Sequence, residues 1–436
     1  MLPRAHRPER KESAVDATYD IAVIGGGAAG LCAAVQAARA GCRTLLVEKT
    51  ALLGGTITSG GVNAPASFHA WGRLKIAGIG WELVRRTLRE MGHGLPDVGD
   101  KLPVHIGVDA VLFAALADEM VLESGAELLL HTMVQRAAFA DGLWRIELCT
   151  KTGPRPVAAR AVIDCTGDAN FVTLAGLPVE RSDVLQPGTP VVRVGGYDRD
   201  GLDYDALQAD FERAVAAGEM RPSDPGWDHG KIRFFLHSYG GNRIHLPGIG
   251  GDTSAGRTAA ELEARRAMLR LYRWCRRQKG LENFRFEWAA PECGIRETVT
   301  IVARKKITLA DFESGRVWDD SVCYSLYNID IHCEQSVDYR RLAHGVFPTI
   351  PLGAMIPKDG RRLLAAGRCI SGDRESLSAY RVEASCMAMG QAAAAAAVLA
   401  VRADVEPDEV PMPELRALLE AHGAIVPPSE GLAPDA

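Results

Sequence analysis

The sequence predicts an α/β protein: a three-layer domain on a parallel β-sheet, interrupted by an inserted unit of mostly antiparallel sheet plus helix. Three observations predict it. Near the N-terminus a buried strand, a glycine loop, a small-residue helix and a second buried strand follow in succession. From about Gly176 the chain changes to short strand-like runs, and near Ile350 the first style returns. At 436 residues the chain exceeds a single compact core. The expected organisation is a disordered tail over 1–16, a nucleotide domain over 17–175, an inserted substrate or cap unit over 176–349, a return segment over 350–404, and a short helix with a tail over 405–436.

The elements follow in order. YDIAVI, Tyr19 to Ile24, is an apolar run expected to be buried on both faces, and it leads into Gly25–Gly30 and a helix ending at Gly41. CRTLLVEK forms the second strand and ends in Glu48 and Lys49, completing a βαβ unit. Residues 106–125 read as helix, AELLLHTMV and GLWRIELCT as strands, and AARAVIDCTGDAN as a further buried strand ending in a turn. In the inserted unit VVRVGG, KIRFFLH and NRIHLPGI read as strands, the last two joined by a hairpin turn at Ser238–Gly241. Gly248–Gly256 reads as a loop. Thr258-Ala259-Ala260-Glu261 matches a capping box opening a helix that runs to about Arg277. RLLAAG returns as a buried strand, followed by a long small-residue helix beginning near Val382, with Ala392–Ala400 buried.

A formal net charge of -5 offers no long-range attraction to a polyanion, so nucleic acid is not an expected partner. The ten cysteines include no C-x-x-C pair, which argues against zinc ribbons, iron–sulfur runs and a redox disulfide at that spacing. They read as reduced thiols, and the expected location is cytoplasmic. Met1–Asp16 lacks the apolar core of a secretory signal, and no membrane association is expected. Neither H-E-x-x-H nor G-x-S-x-G occurs in a suitable context, and no metal site is expected.

VIGGGAAG carries the strongest local signal. Gly25 permits the tight turn, Gly27 the approach of a pyrophosphate, and Gly30 close helix–strand packing, with Ala29 in the first helical turn. The helix N-terminus offers free N–H groups and a positive dipole end to phosphates. Glu48, ending the next strand, suits ribose hydroxyls and would repel a 2′-phosphate. The context of strand, helix and acid makes this a dinucleotide-binding Rossmann-type unit.

With these residues the chain resembles the FAD-dependent oxidoreductases of glutathione-reductase-like fold, and more narrowly a bacterial group carrying a GIRET segment. The matching segments are VIGGGAAG with VEK, LLGGTITSGG, VIDCTGDANFVTLAG, LLAAGRCISGDRESLSAYRVEASCMAMGQA, PECGIRET and YNIDIH, spanning Tyr19 to Ala400. The resemblance implies a Rossmann-type FAD-binding domain with FAD as cofactor. It implies that Gly55 and Thr56 meet the phosphates and that Ser59, Gly60 and Gly61 belong to the loop wrapping pyrophosphate and ribityl. Val134 would lie by adenine. Thr166, Gly167 and Asp168 would close the adenosine half, with a helix cap as the competing role for Asp168. Gly367, Arg368 and Ser371 would contact pyrophosphate and ribityl, and the helix start near Arg381 and Val382 would aim its dipole at the flavin.

The resemblance further implies an enzyme exchanging two electrons, as a hydride, with a small organic substrate. A flavin monooxygenase and a noncatalytic flavoprotein are the alternatives. Arg296 in GIRET is a candidate to bind a substrate carboxylate or enolate, against an ion pair with Glu297 or another acid. Val299 and Thr300 stand where the family often continues with arginine, which suggests a less anionic substrate. His332 is a candidate base, against a structural histidine bonded near Asp330, and His245 lies on an expected strand. Arg374 stands where the family commonly has histidine; a guanidinium stabilises negative charge but makes a poor base. Tyr380 is a candidate proton donor, against a packing role. Neither the electron acceptor nor a homo-oligomer is specified by the residues.

Overall fold

The computed structural model describes residues 17–227, 230–334 and 336–428; the expected tail over 1–16 and the end of the C-terminal tail lie outside the described residues. Strand Ala17–Ile24 is the centre of a seven-stranded sheet. It runs parallel to Thr44–Val47 on one side and Gly153–Asp164 on the other, with Val23 opposite Leu46 and Ile163. Glu127–Leu129 extends the first side and Leu363–Ala365 lies against the end of Gly153–Asp164, again parallel. Leu143–Thr150 and Met133–Ala140 add an antiparallel ribbon. The apolar runs at Ile21–Ile24 and Leu45–Val47 are buried throughout because both faces of this sheet are covered.

The arrangement decides where a ligand can sit. Ile24, Val47, Asp164 and Ala365 all end their strands on one edge, where ligands of open parallel sheets bind. Helix Ala28–Arg39 leaves that edge from Ile24, and helix Glu383–Ala403 packs against that helix. Gly30 is obligatory here, because a Cβ on it would stand 1.7 Å from the carbonyl oxygen of Gly25. Helix Glu383–Ala403 is long and apolar enough to cross a membrane by composition, but 89% of its most apolar window is buried inside the protein.

A second core joins Val192, Phe211, Phe235, Leu271 and Trp274. Its antiparallel sheet orders Gly240–Gly241, Val192–Gly195 and Arg285–Ala289, flanked by helices Tyr204–Ala216 and Ser254–Cys275. Between Val299 and Ile350 the apolar side chains pack back into the cores around the main sheet.

Several local expectations are corrected. KIRFFLH is helical over Ile232–His237, burying Ile232, Phe235 and Leu236 at helical spacing. Gly240–Gly241, expected as the hairpin turn, is a short strand against Val192 and Arg193. NRIHLPGI contributes a single bridge, Leu246 to Gly188, in place of a strand. The long helix starts at Ser254, inside the expected loop, with Thr253 as the cap, its hydroxyl accepting from Gly256 N. Thr258 lies within the helix and donates to Ser254 O, while Glu261 accepts from Cys293 N. The capping-box residues are thus spent on other partners.

Candidate functional site

A cavity of about 620 Å³ opens along the carboxyl edge of the sheet and continues beneath the interposed unit. Its volume lies within the range typical of cofactor and substrate sites. The floor is glycine. Gly25 has φ of 101° and no room for a Cβ, which would lie 2.5 Å from Cys165 O. Gly55 has φ of 54°, and a Cβ there would lie 2.9 Å from Gly27 Cα. Gly27 itself has space, with the nearest atom 3.9 Å from a built Cβ. Gly27 also caps helix Ala28–Arg39 with no side-chain hydrogen bond, leaving first-turn N–H groups for a ligand.

Glu48 stands at one end. Its Oε2 accepts from Gly26 N at 2.6 Å and its Oε1 from Thr50 N at 2.7 Å, so the carboxylate is oriented by backbone and keeps further acceptor capacity. Lys49 lies 3.7 Å from Glu292 Oε2. The turn after the third parallel strand is built by buried Asp164, which accepts from Thr166 N and Oγ1 and from Val172 N. Burial pushes this carboxyl up, and those hydrogen bonds oppose the shift.

Asp168 joins the middle of the cavity. Its carboxylate receives Arg368, Arg257 at 2.9 Å and the Thr298 hydroxyl at 2.9 Å. Burial pushes its carboxyl up, but Arg368 and Arg257 outweigh that and hold it below its usual range. Asp168 is not a helix cap: the cap of Asn170–Leu174 is Ala169, without a side-chain bond. The local sum of two guanidinium groups and one carboxylate is positive.

At the far end Arg296, His332, Asp330, Arg381 and Glu383 converge. Arg296 donates to Pro187 O at 2.7 Å. Among the described residues no carboxylate lies within ion-pair distance of Arg296; Glu297 instead meets Arg374 at 3.6 Å and accepts from Gln186 N. Burial and Arg381 push the Arg296 pKa down, yet the group remains a cation at neutral pH. His332 Nε2 lies 3.2 Å from Asp330 Oδ2, and His332 Nδ1 lies 3.1 Å from His245 Nε2. Burial, then the Arg296 charge, holds the His332 pKa down at about 4, against the pull of Asp330. Burial pushes Asp330 up, but His332, Arg381 and Arg296 together hold it below its ordinary value. Arg381 donates to Ser378 O and to Asp330 O.

Most of the expected residues line this single cavity: Gly25, Gly27, Ala29, Glu48, Lys49, Gly55, Thr56, Ser59, Gly60, Gly61, Val134, Thr166, Gly167, Asp168, Gly367, Arg368, Arg381 and Val382, with Arg296 and His332 at the far end. Five expected residues do not. Gly30 is behind the floor and acts by allowing the turn to close. Ser371 is buried and tied by its backbone to Ala354 and Ile307. Arg374 opens helix Arg374–Tyr380 beside Glu297, off the cavity wall. His245 is a layer behind His332. Tyr380 has the packing role, fully buried with its hydroxyl donating to Ile370 O at 3.0 Å. Arg257, His105, Tyr327 and Glu383 also line the cavity, and none was singled out from the sequence.

A model of the family described as FAD dependent oxidoreductase matches residues 20–419. The chain belongs to this family. FAD is the cofactor of this family, and the glycine floor, open helix N-terminus and strand-end acid fit a dinucleotide. The chain is 27% identical over 181 residues to a thiamine thiazole synthase of Saccharolobus islandicus, covering 39% of this chain and 62% of that one. The counterpart of Sulfolobus acidocaldarius is 28% identical over 181 residues, covering 39% and 63%. The chain therefore spans less than two thirds of the length of these curated relatives. Among solved structures, a geranylgeranyl bacteriochlorophyll reductase-like protein from Thermoplasma acidophilum aligns with TM-score 0.45 and 15% identity, covering 93% of this chain and 83% of that one. The p-nitrophenol 4-monooxygenase of Pseudomonas putida aligns with TM-score 0.41 and 12% identity, covering 93% and 87%.

Proposed function

We propose that FAD lies along this cavity, adenosine beside Glu48 and Val134, pyrophosphate over Gly25–Gly27, and ring toward Arg296, His332 and Val382. The enzyme then exchanges a hydride with a small organic substrate whose anionic oxygen rests on Arg296. The observation that carries the reading is the continuity of one cavity from Glu48 to a cluster in which Arg296, among the described residues, has no carboxylate within ion-pair distance.

Bound there, FAD supplies the two-electron acceptor or donor. The protein supplies the rest. Arg296 holds and orients an anionic oxygen through charge-assisted hydrogen bonds. His332, neutral at physiological pH, sits beside Asp330 as the proton acceptor on the cavity wall. Helix Glu383–Ala403 begins after Val382 without a side-chain cap, so its N-terminus favours negative charge at that end. Arg368 and Arg257, held by Asp168, favour the negative charge of the pyrophosphate.

The test is anaerobic titration of the holoenzyme with small 2-hydroxy and 2-amino carboxylates while flavin absorbance is followed. Bleaching by a member of the series is expected. A reduced enzyme that reacts with oxygen to accumulate a hydroperoxide-type absorbance would instead favour hydroxylation.

A further inference from the structure

The row His245–His332–Asp330 is one hydrogen short. The carbonyl of Glu334 stands 3.3 Å from His245 Nδ1, His245 Nε2 stands 3.1 Å from His332 Nδ1, and His332 Nε2 stands 3.2 Å from Asp330 Oδ2. Each gap is closed by one hydrogen. The carbonyl and the ionised carboxylate at the two ends only accept, and each neutral imidazole carries one N–H. Whichever tautomers are chosen, at least one of the three gaps sets lone pair against lone pair, and the best choices leave only one. A single added proton closes them all.

The surroundings keep that proton off. Arg296 and Arg381 present cations to the row, and Tyr327 and Glu383 line the same end of the cavity. Trp227 meets His332 edge-on at 5.9 Å, with the Arg243 guanidinium 4.7 Å from the Trp227 ring centre. Gln186 accepts the His332 backbone N–H. Burial, then Arg296 and His332, pushes the His245 pKa down to about 3.

We propose that His245, His332 and Asp330 act as one proton-accepting relay that loads when an anion is seated on Arg296. This rests on the reading of Arg296 given above. An anion compensates the guanidinium charge, which removes the main electrostatic opposition to the missing proton. The proton enters at the cavity end, whose wall His332 and Asp330 line, and displaces hydrogens along the row until His245 Nδ1–H donates to the Glu334 carbonyl. The row gains one positive charge and no electrons move. A substrate bound while the vacancy is still open gives its own O–H or N–H proton to it as the hydride departs; a row already loaded from solvent has no place for that proton. His245 touches no ligand; it is a positioning residue that acts through His332.

The experiment is calorimetric binding of acetate and benzoate to the FAD-loaded enzyme, in two buffers of different ionisation enthalpy, at pH values from about 6 to about 8. Binding is expected to take up protons, approaching about one per site at the acid end of that range. His245→Asn is expected to keep FAD and anion binding but lose most of the uptake. Should that variant fail to hold FAD, Asp330→Asn serves, because its amide donates to His332 Nε2 and supplies the missing hydrogen. Anion binding without proton uptake overturns the relay and leaves the Arg296 reading standing. Undiminished uptake in both variants assigns the proton to another group, such as Glu383, and also overturns it. Failure of either anion to bind overturns the Arg296 reading together with the relay.

Discussion

A Cβ built on Gly390 would lie 1.9 Å from the carbonyl oxygen of Ala29. The first helix of the chain and its long C-terminal helix therefore touch backbone to backbone, and Ala29 lines the cavity on the other side. This contact locks the return segment onto the glycine loop, so that segments more than three hundred residues apart shape one site.

The first prediction concerns that contact. Gly390→Ala pushes a methyl group into backbone that cannot rotate away, and overpacking of this kind costs about 1–3 kcal/mol or more. Lower thermal stability of the apoprotein and weaker FAD retention are expected. An unchanged melting temperature would mean that the helices do not approach this closely.

Two glycines of the loop separate folding from ligand binding. Gly27→Ala meets no protein atom closer than 3.9 Å, so the apoprotein should keep its stability while FAD affinity falls. Gly27→Asp should abolish FAD retention, since its charge opposes a pyrophosphate. Gly25→Ala should fail earlier, by misfolding, because φ of 101° and the Cys165 carbonyl both exclude a side chain. Apoprotein melting curves and FAD titrations distinguish these outcomes.

Arg296→Ala is expected to slow the reaction with substrate at least about tenfold, the loss of one charge-assisted hydrogen bond of about 1.5–3 kcal/mol. FAD should remain bound, since the other cofactor-lining residues are untouched. Stopped-flow reduction and the flavin spectrum read the two effects separately; unchanged reduction kinetics would remove Arg296 from the site.

Glu383 carries a pH prediction. Burial raises its carboxyl to about 7, so the folded protein holds that proton more tightly than the unfolded chain. The sign follows: its contribution is fully present below the unfolded pKa of about 4.3 and is lost as pH rises through about 7, on the order of 3 kcal/mol. His332 and His245 act oppositely, their lowered values costing stability as pH falls from about 6.5 toward about 4 and about 3 respectively. Comparing apoprotein melting of Glu383→Gln with the parent between about pH 5 and about pH 8 cancels the histidines. The variant should lose less stability as pH rises; parallel curves would contradict a buried, raised Glu383.

The parts of this structure legible in sequence are those where local pattern and ligand chemistry coincide. VIGGGAAG names its strand, turn and helix because the turn admits no side chain at Gly25 and no Cβ at Gly30. KIRFFLH is a short apolar run, which periodicity alone cannot divide between strand and helix, and packing of Phe235 and Leu236 into the second core selects helix. Thr258 and Glu261 have the spacing of a cap, but tertiary partners at Ser254 and Cys293 claim them. Arg257 was invisible because its meaning lies in Asp168, 89 positions away. The same holds for Arg374, whose motif position suggested a catalytic role in stabilising negative charge while Glu297 holds it off the cavity wall.

A crystal structure of the enzyme with FAD bound tests the central placement most directly. The account predicts the ribose within hydrogen-bond distance of Glu48, and the isoalloxazine ring between Val382 and the Arg296–His332 side. A cofactor running in the opposite direction, or a ring lying out of reach of Arg296 and His332, would contradict it.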